Sequence, residues 1–156
     1  MPFAASNNAV LRYIEEVTFG TTPATPALST IRYTGESLNY NISNVTSQEI
    51  RNDRMVADLV QTSADASGDV NVEWSYGTFD DFLEAALCGT WTTDVLENGT
   101  ALRSYTIQKE FSDLTTPEFV NFTGCRIGGI SLNFQTGSIL TGSFNFMGLG
   151  AAVTET

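Results

Sequence analysis

Histidine is missing altogether from the chain. Its absence excludes a Ser-His-Asp triad, a Cys-His nucleophile pair and every His-ligated metal site. Basic residues are scarce too: 7 Lys and Arg stand against 18 Asp and Glu, a net charge of −11. Proteins that grip nucleic acid displace phosphate counterions with Lys and Arg, so this balance argues against a DNA-gripping protein. It is compatible with a protein that works beside DNA without adhering to it, or simply with an acidic soluble protein. Two cysteines, Cys88 and Cys125, are too few for a four-thiolate zinc site or a disulfide framework. They read as reduced, interior thiols. No run approaches the ~18 apolar residues of a membrane span. Met1 to Asn8 lack the basic and apolar regions of a signal peptide. The N-x-S/T triplets at Asn41, Asn44, Asn98 and Asn121 therefore read as chance matches in a chain rich in Asn and Thr.

Charged residues make up only 16%, against roughly 25% in average proteins. Thr, Ser, Asn and Gly fill the difference, which suits a strand-rich protein with polar, uncharged faces. At 156 residues the chain fits a single domain that can bury its own core. Leu11–Phe19 reads as a first strand, followed by a rigid extended linker with Pro23 and Pro26. Thr30–Ile42 reads as a second strand, bent at Gly35. The polar stretch 43–54 then separates it from an apolar strand over Met55–Thr62. Hairpin loops normally take about 2–5 residues, so this long charged loop reads as a docking surface. Asp69–Tyr76 alternates cleanly, with Val70, Val72, Trp74 and Tyr76 on one face and Asp69, Asn71, Glu73 and Ser75 on the other. Phe79, Phe82, Leu83, Ala86 and Leu87 fall on one helical stripe. The signals predict a helix over 79–88, N-capped by Thr78 and stopped at Gly89. Strands are expected over Ala101–Phe111, around Val120–Thr123, over 130–135 and over 140–146, with Thr136-Gly137-Ser138 as a turn. Gly148–Thr156 reads as a small-residue arm. The expected class is mainly β, a sandwich or barrel of two packed antiparallel sheets with one flanking helix.

Chemistry is hard to find. Asp80, Asp81 and Glu84 could imitate an acid/base group, but their place in and just after the first helical turn already explains them. Asp58, Asp65 and Asp69 lack the spacing of a calcium loop. Gly148-Leu149-Gly150-Ala151-Ala152-Val153 resembles a dinucleotide fingerprint only loosely, with no helix or acidic residue following at the required distance. Trp74, Tyr76 and Phe134 lack the basic neighbours of a base-stacking platform. No cofactor or metal is expected.

The segment Leu11 to Pro23, reading LRYIEEVTFGTTP, resembles the opening of tail tube (major tail) proteins of long-tailed bacteriophages. Ser47-x-Glu49-Ile50-Arg51-x-Asp53-Arg54 resembles that family's loop motif. The helix around Phe79–Leu87 and the Ile139-x-x-Gly142-Ser143-Phe144 strand are similar as well. The resemblance implies a structural virion protein, not an enzyme, assembled in the host bacterial cytoplasm. Subunits would form stacked hexameric rings around a channel that genomic DNA crosses as transient cargo, with tape-measure, terminator and distal tail proteins as further partners and no membrane. It implies a single tail-tube domain over 1–156, with an N-terminal arm 1–9, the loop 43–54 and a C-terminal arm 148–156. Ser47, Glu49, Ile50, Arg51, Asp53 and Arg54 map onto a loop that contacts the adjacent ring. Glu36, Asp58, Asn133 and Gln135 are candidates to face the channel. Some relatives carry a second domain beyond this point. A carbohydrate-binding β-sandwich, an adhesion or decoration module using exposed Trp91 and Tyr105, is the competing expectation. A hydrolase built on Asp80, Asp81 or Glu84 is a third.

Overall fold

Alternating strand-forming residues run through most of the chain, and the computed structural model, which describes residues 8–49, 52, 58–114 and 116–154, shows the outcome. Among these residues the order is β1 (Ala9–Glu15), β2 (Ser29–Thr30), β3 (Gly35–Glu36), β4 (Asn39–Thr46), β5 (Leu59–Glu73), α1 (Asp80–Leu87), β6 (Trp91–Thr92), β7 (Val95–Leu96), β8 (Tyr105–Phe111), β9 (Glu118–Asn133), β10 (Thr141–Gly148) and β11 (Gly150–Thr154). Nine strands form one curled antiparallel sheet in the order β2-β1-β8-β9-β10-β5-β3, with β11 also on β9 and β4 also on β5. Strands β6 and β7 form a separate small hairpin.

The long strand β9 joins two layers. Its first half pairs with β8 and β11, and its second half, from Arg126 on, pairs with β10. The two expected sheets are thus halves of one sheet, curled over a shared core. Leu11, Tyr105, Ile107 and Phe122 enter that core from one half, and Val70, Val72, Phe144 and Phe146 from the other. Helix α1 supplies the link. Its Phe82 ring lies 4.6 Å from Tyr13, 5.5 Å from Tyr105, 5.2 Å from Phe144 and 5.5 Å from Phe146. Truncating such a ring to alanine typically costs about 3–5 kcal/mol.

The differences from expectation have physical causes. The Thr78 hydroxyl is engaged by Ser75 at 2.7 Å, so Phe79 occupies the N-cap position without a side-chain cap. The left-handed residue after the helix is Cys88 (φ 51°), not Gly89. Gly89 is required for a different reason: a Cβ there would meet the Glu97 carbonyl oxygen at 2.1 Å. Strand β1 stops at Glu15, and Phe19 belongs to a turn closed by the Thr21 N–H donating to the Thr18 carbonyl at 3.0 Å. Tyr76 does not continue the apolar face of β5; it lies past the strand end, fully exposed. Residues 43–46 extend β4 instead of belonging to the loop, and the expected C-terminal arm is strand β11 over 150–154. The thiol of Cys125 is buried, and burial, with Glu16 nearby, pushes its pKa up to about 12. Cys88 is only half-buried.

One buried carboxylate clamps the half of the sheet made by β1, β8 and the start of β9. Glu16 is 8% exposed and accepts four hydrogen bonds. The Gly20 N–H and the Ser104 hydroxyl donate to one oxygen, each at 2.8 Å. The Thr106 hydroxyl and the Gly124 N–H donate to the other at 2.9 and 2.8 Å. Gly124 sits in the left-handed region (φ 68°), and a Cβ there would press Leu149 at 2.9 Å. Burial alone raises the Glu16 pKa, but the bonds from Gly124, Ser104, Gly20 and Thr106 outweigh it and hold the carboxyl below its ordinary 4.5. A carboxyl with a lowered folded-state pKa stabilises the fold at neutral pH, and that contribution fades as pH falls below 4.5. Replacing Glu16 by Ala strands four donors, at a cost of about 2–4 kcal/mol. We expect thermal denaturation to show a melting temperature lower by roughly 5–10 °C at pH 7. The gap to wild type should narrow as pH drops through the carboxylate range; an unchanged gap would show that the carboxylate's charge is not what matters.

Candidate functional site

Period-two alternation along β5, β10 and the second half of β9 divides their side chains between two faces. One face is core. On the other, the register aligns Asn71 with Ser143 and Ser131, Asp69 with Asn145 and Gly129, and Glu73 with Thr141 and Asn133. Strand β4 extends it with Asn39 opposite Ser67 and Asn41 opposite Asp65. Short polar side chains bond to each other across this surface. Ser131 and Ser143 hydroxyls lie 2.7 Å apart, and the Asn145 amide donates to Asp69 at 2.9 Å. The Ser67 hydroxyl donates to Asp65 at 3.2 Å, and Asn39 donates to Asn41 at 2.9 Å.

Carboxylates dominate the charge on this face, and its one cation among the described residues, Arg126, lies at the end, aligned with Ser67 through Met147. Most cations of the described residues are bound elsewhere. Arg12 pairs with Glu110 at 2.8 Å, Arg103 with Glu15 and Glu84 at 3.0 and 2.8 Å, and Lys109 with Glu36. The Arg126 guanidinium stacks on the Phe19 ring, 4.4 Å from its centroid, at the end of the face. Asp65, Asp69 and Glu73 have no ion pair among the described residues. The surface is therefore polar and anionic.

Both bordering strands leave an edge open. Strand β4 pairs only with β5, and β9 beyond Cys125 pairs only with β10, among the described residues. Unpaired N–H and C=O rows of this kind are templates for another strand. Past Ala66, the last β5 residue paired to β10, the β4–β5 hairpin continues alone to Leu59.

The residues singled out from the sequence fall in different places. Asn133 lies on the polar face, aligned with Glu73 through Thr141. Asp58 is exposed at the foot of β5, its carboxylate accepting the Leu59 N–H at 2.8 Å. Glu36 faces the other way: it pairs with Lys109 and accepts the Leu38 N–H at 2.8 Å. Its register with core residue Val70 puts it off the polar face. Gln135 lies beyond the end of β9 in a turn, where its carbonyl accepts the Ser138 N–H at 3.3 Å. In the loop, the Ser47 N–H donates to the Asp58 carbonyl at 2.9 Å, and Glu49 is exposed. Ile50, Arg51, Asp53 and Arg54 lie outside the described residues. The alternation of Asp69, Asn71 and Glu73 marks this face in the sequence, whereas Asp65 joins it only through the pairing of β5 with β4. The role of Glu16 was not apparent, because its partners lie up to 108 positions away.

Two of the three helix carboxylates, Asp81 and Glu84, are engaged structurally. The Tyr13 hydroxyl donates to Asp81 at 2.8 Å, and burial followed by that bond raises the Tyr13 pKa. Glu84 accepts the Trp91 N–H at 2.8 Å and pairs with Arg103. Tyr105, expected as an exposed sugar-stacking ring, is 1% exposed and packs against Phe82. Among the described residues, no group of three or more thiols and carboxylates is placed to hold a metal ion. None of their helices is long and apolar enough to cross a membrane.

A curled sheet with an anionic polar face and two open edges defines a structural β-protein of the kind that builds larger assemblies. The model of the phage tail tube protein family matches residues 6–156, and the chain belongs to that family, a structural component of the virion tail. A search of curated proteins found no match. Solved structures share the fold at low identity. A chain of the anti-feeding prophage baseplate, six-fold symmetrised, is 10% identical with a TM-score of 0.67, covering 99% of this chain and 97% of that one. The SPP1 tail tube is 10% identical with a TM-score of 0.67, covering 97% of this chain and 78% of that one. A chain of the native gene transfer agent virion is 10% identical with a TM-score of 0.62, covering 96% and 98%.

Proposed function

We propose that copies of this chain assemble into stacked hexameric rings, forming a tail tube whose bore is lined by the polar face of β4, β5, β10 and β9. The observation that carries this reading is the pairing of one anionic face with two open edges on the same four strands. Successive strands across this part of the sheet are antiparallel. The β4 edge of one copy can therefore meet the β9 edge of the next in the antiparallel sense, and repetition closes a barrel with no free edge. Asp65, Asp69 and Glu73 then face the bore, where DNA passes as cargo. Carboxylates and neutral amides or hydroxyls offer phosphates no counterion to displace, so the genome slides without being held. A tape-measure protein would fill the bore before DNA does, and terminator and distal tail proteins would cap the stack. The family and the six-fold symmetrised baseplate structure that shares the fold support the ring arrangement.

Concentrated protein should show ring-shaped projections or filaments by negative-stain microscopy, without enzymatic turnover; a monomer at every concentration, even with tail partners present, would end this reading. Replacing Asp65, Asp69 and Glu73 together by Lys leaves the core untouched and reverses the sign of the face. The resulting tubes should retain duplex DNA at low salt, with retention falling steeply as salt rises. Unaltered DNA release from such tubes would mean that these strands do not line the bore.

The loop between β4 and β5 has its own expected outcome. Reversing Arg51 and Arg54 to Glu should block elongation while leaving the monomer folded, as checked by circular dichroism. Tubes of normal length from that double variant would remove the loop from the contact between rings.

A further inference from the structure

The same strand that carries the projecting hairpin also carries, at its other end, an apolar hollow. Trp74, Tyr76, Phe79, Leu83, Trp91 and Leu140 surround a cleft of about 360 Å³ just past the C-terminal end of β5. Tyr76 stands wholly in solvent on its rim. At the N-terminal end of β5, every residue of β4 is exposed, and Ile42, Val45, Leu59 and Val60 are each half-exposed or more. A two-stranded ribbon is marginal in water by itself, and this one keeps aliphatic side chains uncovered. Fifteen residues of strand place tip and cleft about 50 Å apart, so no copy can fill its own cleft with its own tip.

We propose that the cleft is the seat for the β4–β5 hairpin tip of a second copy, which makes subunits associate head to tail along β5. The inference rests on the tube reading and names the surface that receives the hairpin. A knob at one end and a hollow at the other form a heterologous contact, which propagates instead of closing on a pair. Apolar side chains on both partners lose water when they meet.

Disulfide trapping tests this directly. Cys88 is first replaced by Ser, and Val60→Cys and Tyr76→Cys are introduced singly and together, all at positions that are not buried. Under mild oxidation the double variant should give a ladder of covalent oligomers. A mixture of the two single variants should give dimers and nothing larger, and each single variant alone should give none. Val60→Asp should lower polymer yield at least roughly ten-fold, in line with losing one buried aliphatic contact. Trp74 and Trp91 are the chain's two tryptophans, so wild-type emission should shift to the blue on polymerisation, and the Val60→Asp variant should lack that shift. Tubes seen by microscopy without any ladder would overturn the cleft as receptor and leave the tube reading intact. Absence of polymer under all conditions would overturn both.

Discussion

Glu16 sits where the chain must do three things at once: end its first strand, turn at Gly20 and hold the bend of β9 at Gly124. A carboxylate removed from water is costly unless its oxygens are fully bonded. Here each oxygen receives one backbone and one hydroxyl donor. The arrangement explains why a stretch reading Glu-x-x-x-Gly-Thr-Thr-Pro matters as a unit. Gly20 supplies a donor, and Thr22 adds a hydroxyl contact to Thr106 at 3.0 Å. With the bend of β9 fixed, its second half leaves the first layer and pairs with β10. The anionic face is laid out on that second half and on the strands beyond it, so its position depends on a clamp on the far side of the core.

The strands and the helix announced themselves where the pattern was local. Val70 and Val72 against Asp69, Asn71 and Glu73 gave both the core face and the polar face of β5. Phe79, Phe82 and Ala86 gave the helix. What failed were the ends. Trp74 and Tyr76 continue the alternation in sequence, yet the ladder stops at Glu73 and the chain turns. The run Ser63-Ala64-Asp65-Ala66-Ser67-Gly68 has little strand propensity, yet it lies inside β5 because β4 pairs along it. Register with distant partners decides such cases, as it decided that Glu36 faces Lys109 instead of the open surface. Within β5 the shared face of Asp69 and Glu73 is legible, but which residues of the other strands join it is not, because one residue of slip exchanges the two faces of a strand.

The scarcity of basic residues and the layout of the sheet have a common logic. With seven cations available, those that are ion-paired among the described residues serve to neutralise carboxylates away from the polar face. Arg103 bridges β1 and α1, Lys109 holds β3, and Arg12 joins β1 to β8 through Glu110. Apart from Arg126 at its end, the face made by β5, β10 and β9 has Asp, Glu, Asn, Ser and Thr as its polar side chains. Serine and asparagine there satisfy one another, which keeps the surface polar without recruiting a counter-charge.

Open edges and a protruding hairpin are hazards in a soluble protein, since they invite uncontrolled pairing. They become useful only when the next copy meets them in a fixed orientation. In the proposed ring, the antiparallel sense of β4 and β9 would fix how edges meet. The 15-residue length of β5, with aliphatic side chains at its start and an aromatic cleft at its end, would fix a direction along the proposed axis. The two proposed contacts, one through backbone hydrogen bonds and one through apolar burial, would then act along two different directions. A ring closed by the first would leave no edges to aggregate, and the second would have only one way to add another ring. That separation is how a small, acidic domain would specify a hollow cylinder instead of an amorphous sheet.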